Sequence, residues 1–492
     1  MKKYIFNIIQ LFTLFALIAF ASCQKMERPP MNIIPDPADD GTIRILAIGN
    51  SFSEDAIETY LYDIAKANNV KIIIGNLYIG AASLSQHVNN IKANSNAYSF
   101  RKINAEGIKT TVANTSIATA LASEKWTHIS FQQESSNSGQ FDTWNNSLPE
   151  LYNYVAPRVK KNNSKFLLHQ TWAYAKNSTH IGFENYSKDQ NQMYEAIIDA
   201  INKAKNLVPI DLVVPVGTAI QNGRTTVVED NFTRDGYHLN LSIGRYLAAC
   251  TWFEALTGTT VLGNSYKPAG LSDFEIALAQ TAAHEAILKP NEVSPLTNYQ
   301  GGNSGPLTSA VLLDFGNNTA SERWNQINSF LAGTSVNLKD SIGSYTGIKL
   351  TVKERFNGVN ADGPTTTSTL LDMPSNVSRY SYFGNSKAAF SGMTIVQSQV
   401  ELSGLDKNLK YNLTFFGSRG SVTDNRETKY ICKGTNEVIT RLNTSSNTSN
   451  TALAQNISPD DDGKITITIT AGENNNNGSG FYYLSAARLT TN

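Results

Sequence analysis

The sequence predicts an α/β domain built on a mostly parallel sheet, followed by an all-β sandwich. Three observations carry this reading. Apolar runs without alternation recur between residues 42 and 290, in RILAIG, KIIIGNLYIG, WTHISFQQ, KFLLHQTWAY and IDLVVPVG. Segments of helical spacing separate these runs, and strands that alternate with helices imply a parallel sheet covered on both faces. Strands buried on both faces lose polar alternation, which these runs do. After Pro290 the hydrophobic period changes to two.

The elements follow in chain order. RILAIG is the first strand, and AIETYLYDIAKANN after it places Ile57, Leu61 and Ile64 on one helical face. KIIIGNLYIG, WTHISFQQ, KFLLHQTWAY and IDLVVPVG are the second to fifth strands. LYNYVAPRVKK, QMYEAIIDAINKAKN, GRYLAACTWFEALTG and SDFEIALAQTAAHEAILK are helical. Residues 291–308 are a linker by composition. Within residues 309–492, KLTVKERF, MTIVQSQVEL, YNLTFFGSR, KITITITA and FYYLSAARLT alternate or carry β-branched and aromatic residues, as sandwich strands do.

The N-terminus precedes the fold. Lys2 and Lys3, an apolar run from Tyr4 to Phe20, and Ala21-Ser22 before Cys23 resemble a lipoprotein signal peptide over residues 1–22, with an uncleaved anchor or a plain secretion signal as the alternatives. Cys23 is then the lipid-bearing first residue, and residues 23–41 are a Pro- and Asp-rich tether. Two or more acyl chains suffice for stable anchoring, which predicts a bacterial cell-envelope protein held at a membrane.

Lys plus Arg and Asp plus Glu number 41 each, so the chain has no electrostatic reason to bind nucleic acid. The six histidines show no close metal spacing, and neither CxxC nor HExxH occurs. No metal and no cofactor is expected. Cys250 and Cys432 fall in different domains and read as buried free thiols.

The stretch ILAIGNSFSED ends a buried strand on Gly49-Asn50-Ser51. One reading makes the hydroxyls helix caps; the other makes Ser51 a nucleophile at the carboxyl edge of a sheet. A nucleophilic serine needs a base, a group to orient that base, and donors for the oxyanion. DNFTRDGYHLN can supply the first two: Asp235 and His238, three apart on a turn, can project to the same side, the alternative being an ordinary Asp-Gly turn with His238 in the first turn of a helix.

Together these blocks resemble the SGNH, or GDSL-like, hydrolase superfamily, and most closely its DUF4886 branch. GNSFS matches the first block, with Asn50 where those enzymes usually carry Asp. Gly80 in LYIGAASL matches the second, and Asp235 to His238 matches the terminal D-x-x-H. The resemblance implies a flavodoxin-like three-layer fold over residues 42–290. It implies a catalytic triad of Ser51, Asp235 and His238, and an oxyanion hole from the Ser51 and Gly80 N–H groups. The usual G-x-N-D block is absent. FQQESSNSG stands in its place, so Gln132 or Gln133 would supply the side-chain amide; period two gives the pair opposite faces. Asn50 and Trp172 are candidate substrate contacts, with Trp172 reading equally well as a core residue. His87, His169 and Glu134 are weaker candidates, each with an ordinary structural role as its alternative.

The C-terminal region resembles, at fold level, galactose-binding-like or malectin-like jelly-roll modules. Trp324, Tyr345, Tyr382, Phe383 and Arg419 would be its glycan-facing residues, although alternation turns half of such aromatics inward. The expected function is removal of acetyl or another small acyl group from a polysaccharide or oligosaccharide. A lipase-like or general acyl esterase is one alternative. A catalytically inactive glycan-binding surface lipoprotein is the other.

Overall fold

The computed structural model describes residues 40–161, 163–300, 306–316 and 323–492. The signal peptide, Cys23 and most of the tether lie outside them. The chain forms two compact units. The first takes residues up to Gly217 together with Asp235–His238 and Ala255–Gly258; the second takes Thr218–Arg234, Leu239–Glu254 and Thr259–Asn492.

The first unit is built on seven strands: β1 (Ile43–Gly49), β2 (Ile72–Tyr78), β3 (Tyr98–Ile103), β4 (Lys109–Thr115), β5 (His128–Phe131), β6 (Lys165–His169) and β7 (Leu212–Val214). Their order is β4-β3-β2-β1-β5-β6-β7. Pairing is parallel from β2 through β1, β5 and β6 to β7. The five parallel strands thus have the flavodoxin-like order, and the α/β expectation is met. The chain steps from β1 to β2 on one side and returns to β5 on the other. The crevice beyond the carboxyl ends of β1 and β5 is therefore the topological switch point, where open α/β sheets place ligands. Ile45, Leu46, Ala47 and Ile48 of β1 are all buried, which is why RILAIG lacks polar alternation.

β3 and β4 form an antiparallel hairpin at the sheet edge that the sequence reading passed over. Its turn is built by Asn104, whose side-chain oxygen accepts from the N–H groups of Glu106 and Ile108, and by Gly107 at φ +82°. Helices of this unit include α1 (Ser51–Ile57), α2 (Leu61–Ala67), α3 (Leu84–Lys92), α4 (Ile117–Ala122), α5 (Ser147–Val155) and α6 (Gln190–Ala204). Asn50, Ser83, Ser116 and Asp189 cap α1, α3, α4 and α6, each accepting from a first-turn N–H.

In the second unit all five strand segments read from sequence are found. Six strands pair in the order Ser335–Lys339, Tyr345–Glu354, Gln397–Ser403, Ile465–Ala471, Glu427–Lys433 and Glu437–Asn443. A five-stranded sheet contains Tyr411–Phe416, Ala486–Thr491 and Val311–Asp314. Leu350, Val400, Leu402 and Ile467 from the first sheet share one buried cluster with Val311, Leu413, Phe415 and Leu489 from the second. That shared core is the signature of a sandwich. Helix Asp273–Leu288 belongs to this unit. Its capping-box serine, Ser272, donates to the Tyr345 carbonyl at 2.9 Å, and Ser344 donates to Gly270 O at 2.6 Å.

Two of the proposed glycan-facing aromatics are core residues. Trp324 is buried beside Leu312 and Phe416, and Tyr382 is buried with its hydroxyl on the Ile327 carbonyl. Tyr345 bonds Asn231, and Arg419 pairs with Asp362. Phe383 packs edge-on against Phe390 and Phe481, and of these Phe390 is 44% exposed. No helix among the described residues is long and apolar enough to cross a membrane.

Asp314 is fully buried in this sandwich, and burial pushes its carboxyl up to about 7, the Gly316 N–H offsetting only part of the cost. A carboxyl raised on folding stabilises below its unfolded value, and that contribution is lost as pH climbs through the folded value. Asp314→Asn is therefore expected to raise Tm relative to wild type. The gain should grow between about pH 4 and 7 and level off above, as measured by thermal melts across that range.

Candidate active site

The turn from β1 into α1 carries Ser51 as the first helical residue. Its tightness explains Gly49. A Cβ there would lie 2.7 Å from Ser53 Oγ and 2.8 Å from Gln132 Oε1, so no larger residue fits. Ser53 donates to the Asn50 carbonyl at 2.7 Å and lies 2.9 Å from Asn76 Oδ1 on β2; Asn76 in turn donates to Glu58 at 2.6 Å. Of the hydroxyls in GNSFS, Ser53 is thus the structural one, and Ser51 is left facing outward.

Ser51 meets the residues 184 and 187 positions away that the sequence paired with it. His238 Nε2 lies 2.9 Å from Ser51 Oγ, and His238 Nδ1 lies 2.7 Å from Asp235 Oδ2. A carboxylate can only accept, so Nδ1 carries the proton and Nε2 is the free base facing the serine. Asp235 Oδ1 also accepts from the backbone N–H of His238 at 2.8 Å and of Tyr237 at 3.2 Å. Partial burial alone would raise the Asp235 carboxyl. The His238 ring N–H and these two backbone donors outweigh it and hold the group below the usual carboxylate range. Asp235 is therefore an anion at neutral pH, suited to stabilise an imidazolium.

Trp172 connects the two halves. Its ring stacks on Phe52 at 4.2 Å between centroids and 14° between planes, and its indole N–H donates to the Tyr237 carbonyl at 2.7 Å. Phe52 follows Ser51 and Tyr237 precedes His238. Trp172 is completely buried, so the expectation that it touches substrate gives way to a bracing role.

The oxyanion donors also differ in part from expectation. Ser51 N–H is an unpaired first-turn donor, and Gly80, exposed in the loop after β2, has an N–H with no hydrogen-bond partner among the described residues. Both remain available. The two glutamines are committed elsewhere. Gln132 is buried and gives its amide to Asn50 Oδ1 at 2.7 Å. Gln133 is buried and gives its own to Thr143 Oγ1 at 2.9 Å, while its oxygen accepts from Leu84 N–H at 2.9 Å. Both amides are taken by polar partners, Gln132 by Asn50 on the β1–α1 turn and Gln133 by Thr143 on a helical turn. Asn50 is 1% exposed and bonded through both its amide oxygen and its amide nitrogen, so it is buried away from a ligand.

Among the weaker candidates, His87 is buried against the Tyr98 hydroxyl at 2.8 Å, and burial lowers it to about 4. His169 is buried and lowered to about 3. Glu134 caps the short turn at Ser135–Asn137 instead of reaching His238. Sequence reasoning missed Tyr237 and His180. Their rings sit 4.7 Å apart, and Tyr237 lies 4.2 Å from the His238 ring. His180 Nδ1 accepts from Gly182 N–H at 3.1 Å, which leaves its Nε2 as the protonated nitrogen. The signal for Tyr237 was its place inside TRDGYH.

Residues 44–286 match the model of a domain of unknown function, DUF4886. A crystal structure of a DUF4886 family protein from Bacteroides uniformis is 52% identical. It covers 52% of this chain and 99% of its own, at a TM-score of 0.52. An acetylxylan esterase from Geobacillus stearothermophilus is 12% identical, with 44% and 94% covered and a TM-score of 0.29. A GDSL-like lipase from Bacteroides thetaiotaomicron is 12% identical, with 45% and 91% covered and a TM-score of 0.28. No curated protein matches the chain.

Trp172→Phe keeps a ring against Phe52 but removes the donor to Tyr237. The loss of one such hydrogen bond, about 0.5–1.5 kcal/mol, should lower kcat by roughly 3–10-fold with KM little changed. Steady-state kinetics on 4-nitrophenyl acetate checks this.

Proposed function

The chain belongs to the DUF4886 family, and from its site geometry we propose that it is a serine ester hydrolase with Ser51 as nucleophile. One observation carries the reading: the unbroken line Asp235–His238–Ser51, at 2.7 and 2.9 Å, with the tautomer set by Asp235. His238 Nε2 takes the Ser51 proton as the oxygen attacks the ester carbonyl. The imidazolium formed is stabilised by the Asp235 carboxylate. The N–H groups of Ser51 and Gly80 receive the oxyanion, His238 protonates the departing alcohol, and water then resolves the acyl-enzyme by the same relay.

The substrate we infer is acetyl or a similar small acyl group on a polysaccharide or oligosaccharide, acted on at a bacterial cell envelope by a lipid-anchored protein. Three features support a bulky ester as the substrate. Gly80 and Ala81 are exposed and Asp235 is 38% exposed, so these flanks of the serine leave room for a bulky alcohol. Tyr237 and His180 offer half-buried rings beside the base. A β-sandwich follows on the same chain.

The test compares acetate release from acetylated polysaccharide with hydrolysis of 4-nitrophenyl acetate and 4-nitrophenyl palmitate. Wild type is expected to act on the two acetyl esters and not on the palmitate. Ser51→Ala and His238→Ala should each lose about 10³-fold or more in kcat while keeping the wild-type melting profile. Preference for the palmitate would replace this reading with a lipase-like one. An inert wild type would leave a glycan-binding protein with Ser51 as an unused surface hydroxyl.

A further inference from the structure

Asn50 is the one residue of the nucleophile turn whose side chain joins three separate chain segments. Its Oδ1 accepts from Phe52 N–H at 3.0 Å and from Gln132 Nε2 at 2.7 Å, and its Nδ2 donates to the Ala82 carbonyl at 3.1 Å. The direction of the amide is not ambiguous. Phe52 N–H can only donate and Ala82 O can only accept, so oxygen and nitrogen are assigned by their partners. Gln132 must then present its NH₂ to Asn50, which leaves its Oε1 toward His169 Nδ1 at 3.2 Å. That nitrogen must be the protonated one. Burial keeps the His169 ring neutral, so one tautomer holds the whole row in register.

The segment held at Ala82 is the one that carries Gly80. Ile79 N–H reaches the Gly49 carbonyl at 3.5 Å, Ala82 N–H closes on Ile79 O at 3.3 Å, and Ala81 sits at φ +55°. The dipeptide Gly49-Asn50 therefore grips the tight loop Ile79–Ala82 at both ends, once by backbone and once by side chain. Ser51 follows that dipeptide directly. We propose that Asn50 is a positioning residue that sets the spacing of the Ser51 and Gly80 N–H donors, with Gln132 and His169 holding its amide in orientation. This rests on the ester-hydrolase reading for its consequence, but the clamp itself is testable without it.

Asn50→Ser separates clamp from cap. Serine caps helices as well as asparagine does but is too short to reach the Ala82 carbonyl. Asn50→Ala is the second variant: it removes the bond to the Ala82 carbonyl and the acceptor for Phe52 and Gln132 together. In the full chain, both are expected to lower kcat on 4-nitrophenyl acetate by about 10²-fold, with KM within about threefold. Hydrogen exchange in the peptide spanning Ile79–Leu84 should quicken about tenfold, while peptides from β5 and β6 stay as in wild type. Unchanged exchange at Ile79–Leu84 in a folded variant overturns the proposal, as does faster exchange with wild-type kcat, because a residue that only caps α1 predicts one or the other. If wild type hydrolyses no ester, the function reading fails and exchange alone decides the clamp.

Discussion

The amide of Asn50 is the constraint on which the rest of the site depends. One side chain closes the β1–α1 turn, receives the strand end after β5 and holds the loop after β2. A buried polar network of this kind is stable only when each member is satisfied, since an unpaired amide in such a place costs about 1–3 kcal/mol. Here the partners of Asn50 leave it no second orientation. Gly49 belongs to the same constraint: the backbone can pass this close to Gln132 only without a Cβ.

The base is held by a separate brace. Asp235 builds the turn that presents His238, accepting from two backbone N–H groups and from the ring. Trp172 ties that turn to the nucleophile helix by a ring stack on one side and a hydrogen bond on the other. Gly236 lies at φ +88° with Ser178 Cα 2.9 Å from where its Cβ would stand, so TRDGYH needs glycine for both conformation and room. A separation of 2.9 Å between Ser51 and His238, 187 residues apart, thus rests on short local contacts at each end of the chain segment.

The triad was legible because each member sits in a local motif whose geometry is dictated by spacing. A small-residue turn after a buried strand exposes a hydroxyl, and an Asp three residues before a His on a turn can reach its ring. The parallel strands and the period-two strands were legible for the same reason: burial imprints periodicity. The β3–β4 hairpin was not, because its outer strand is exposed along nearly its whole length and carries little apolar signal. The partners of the glutamines were not legible for a different reason. Alternation says that Gln132 and Gln133 face opposite ways but not what waits on either side. Polar partners from β6, from the α3 start and from Thr143 become neighbours only in the folded unit.

The central claim is that Ser51 is an activated nucleophile and not merely the first residue of a helix. Treating the full chain with a fluorophosphonate and locating the adduct by peptide mass spectrometry tests it most directly. One adduct is expected, on Ser51, formed in wild type and lost in a folded His238→Ala variant. No adduct in wild type, or equal labelling of Ser51→Ala, would contradict it.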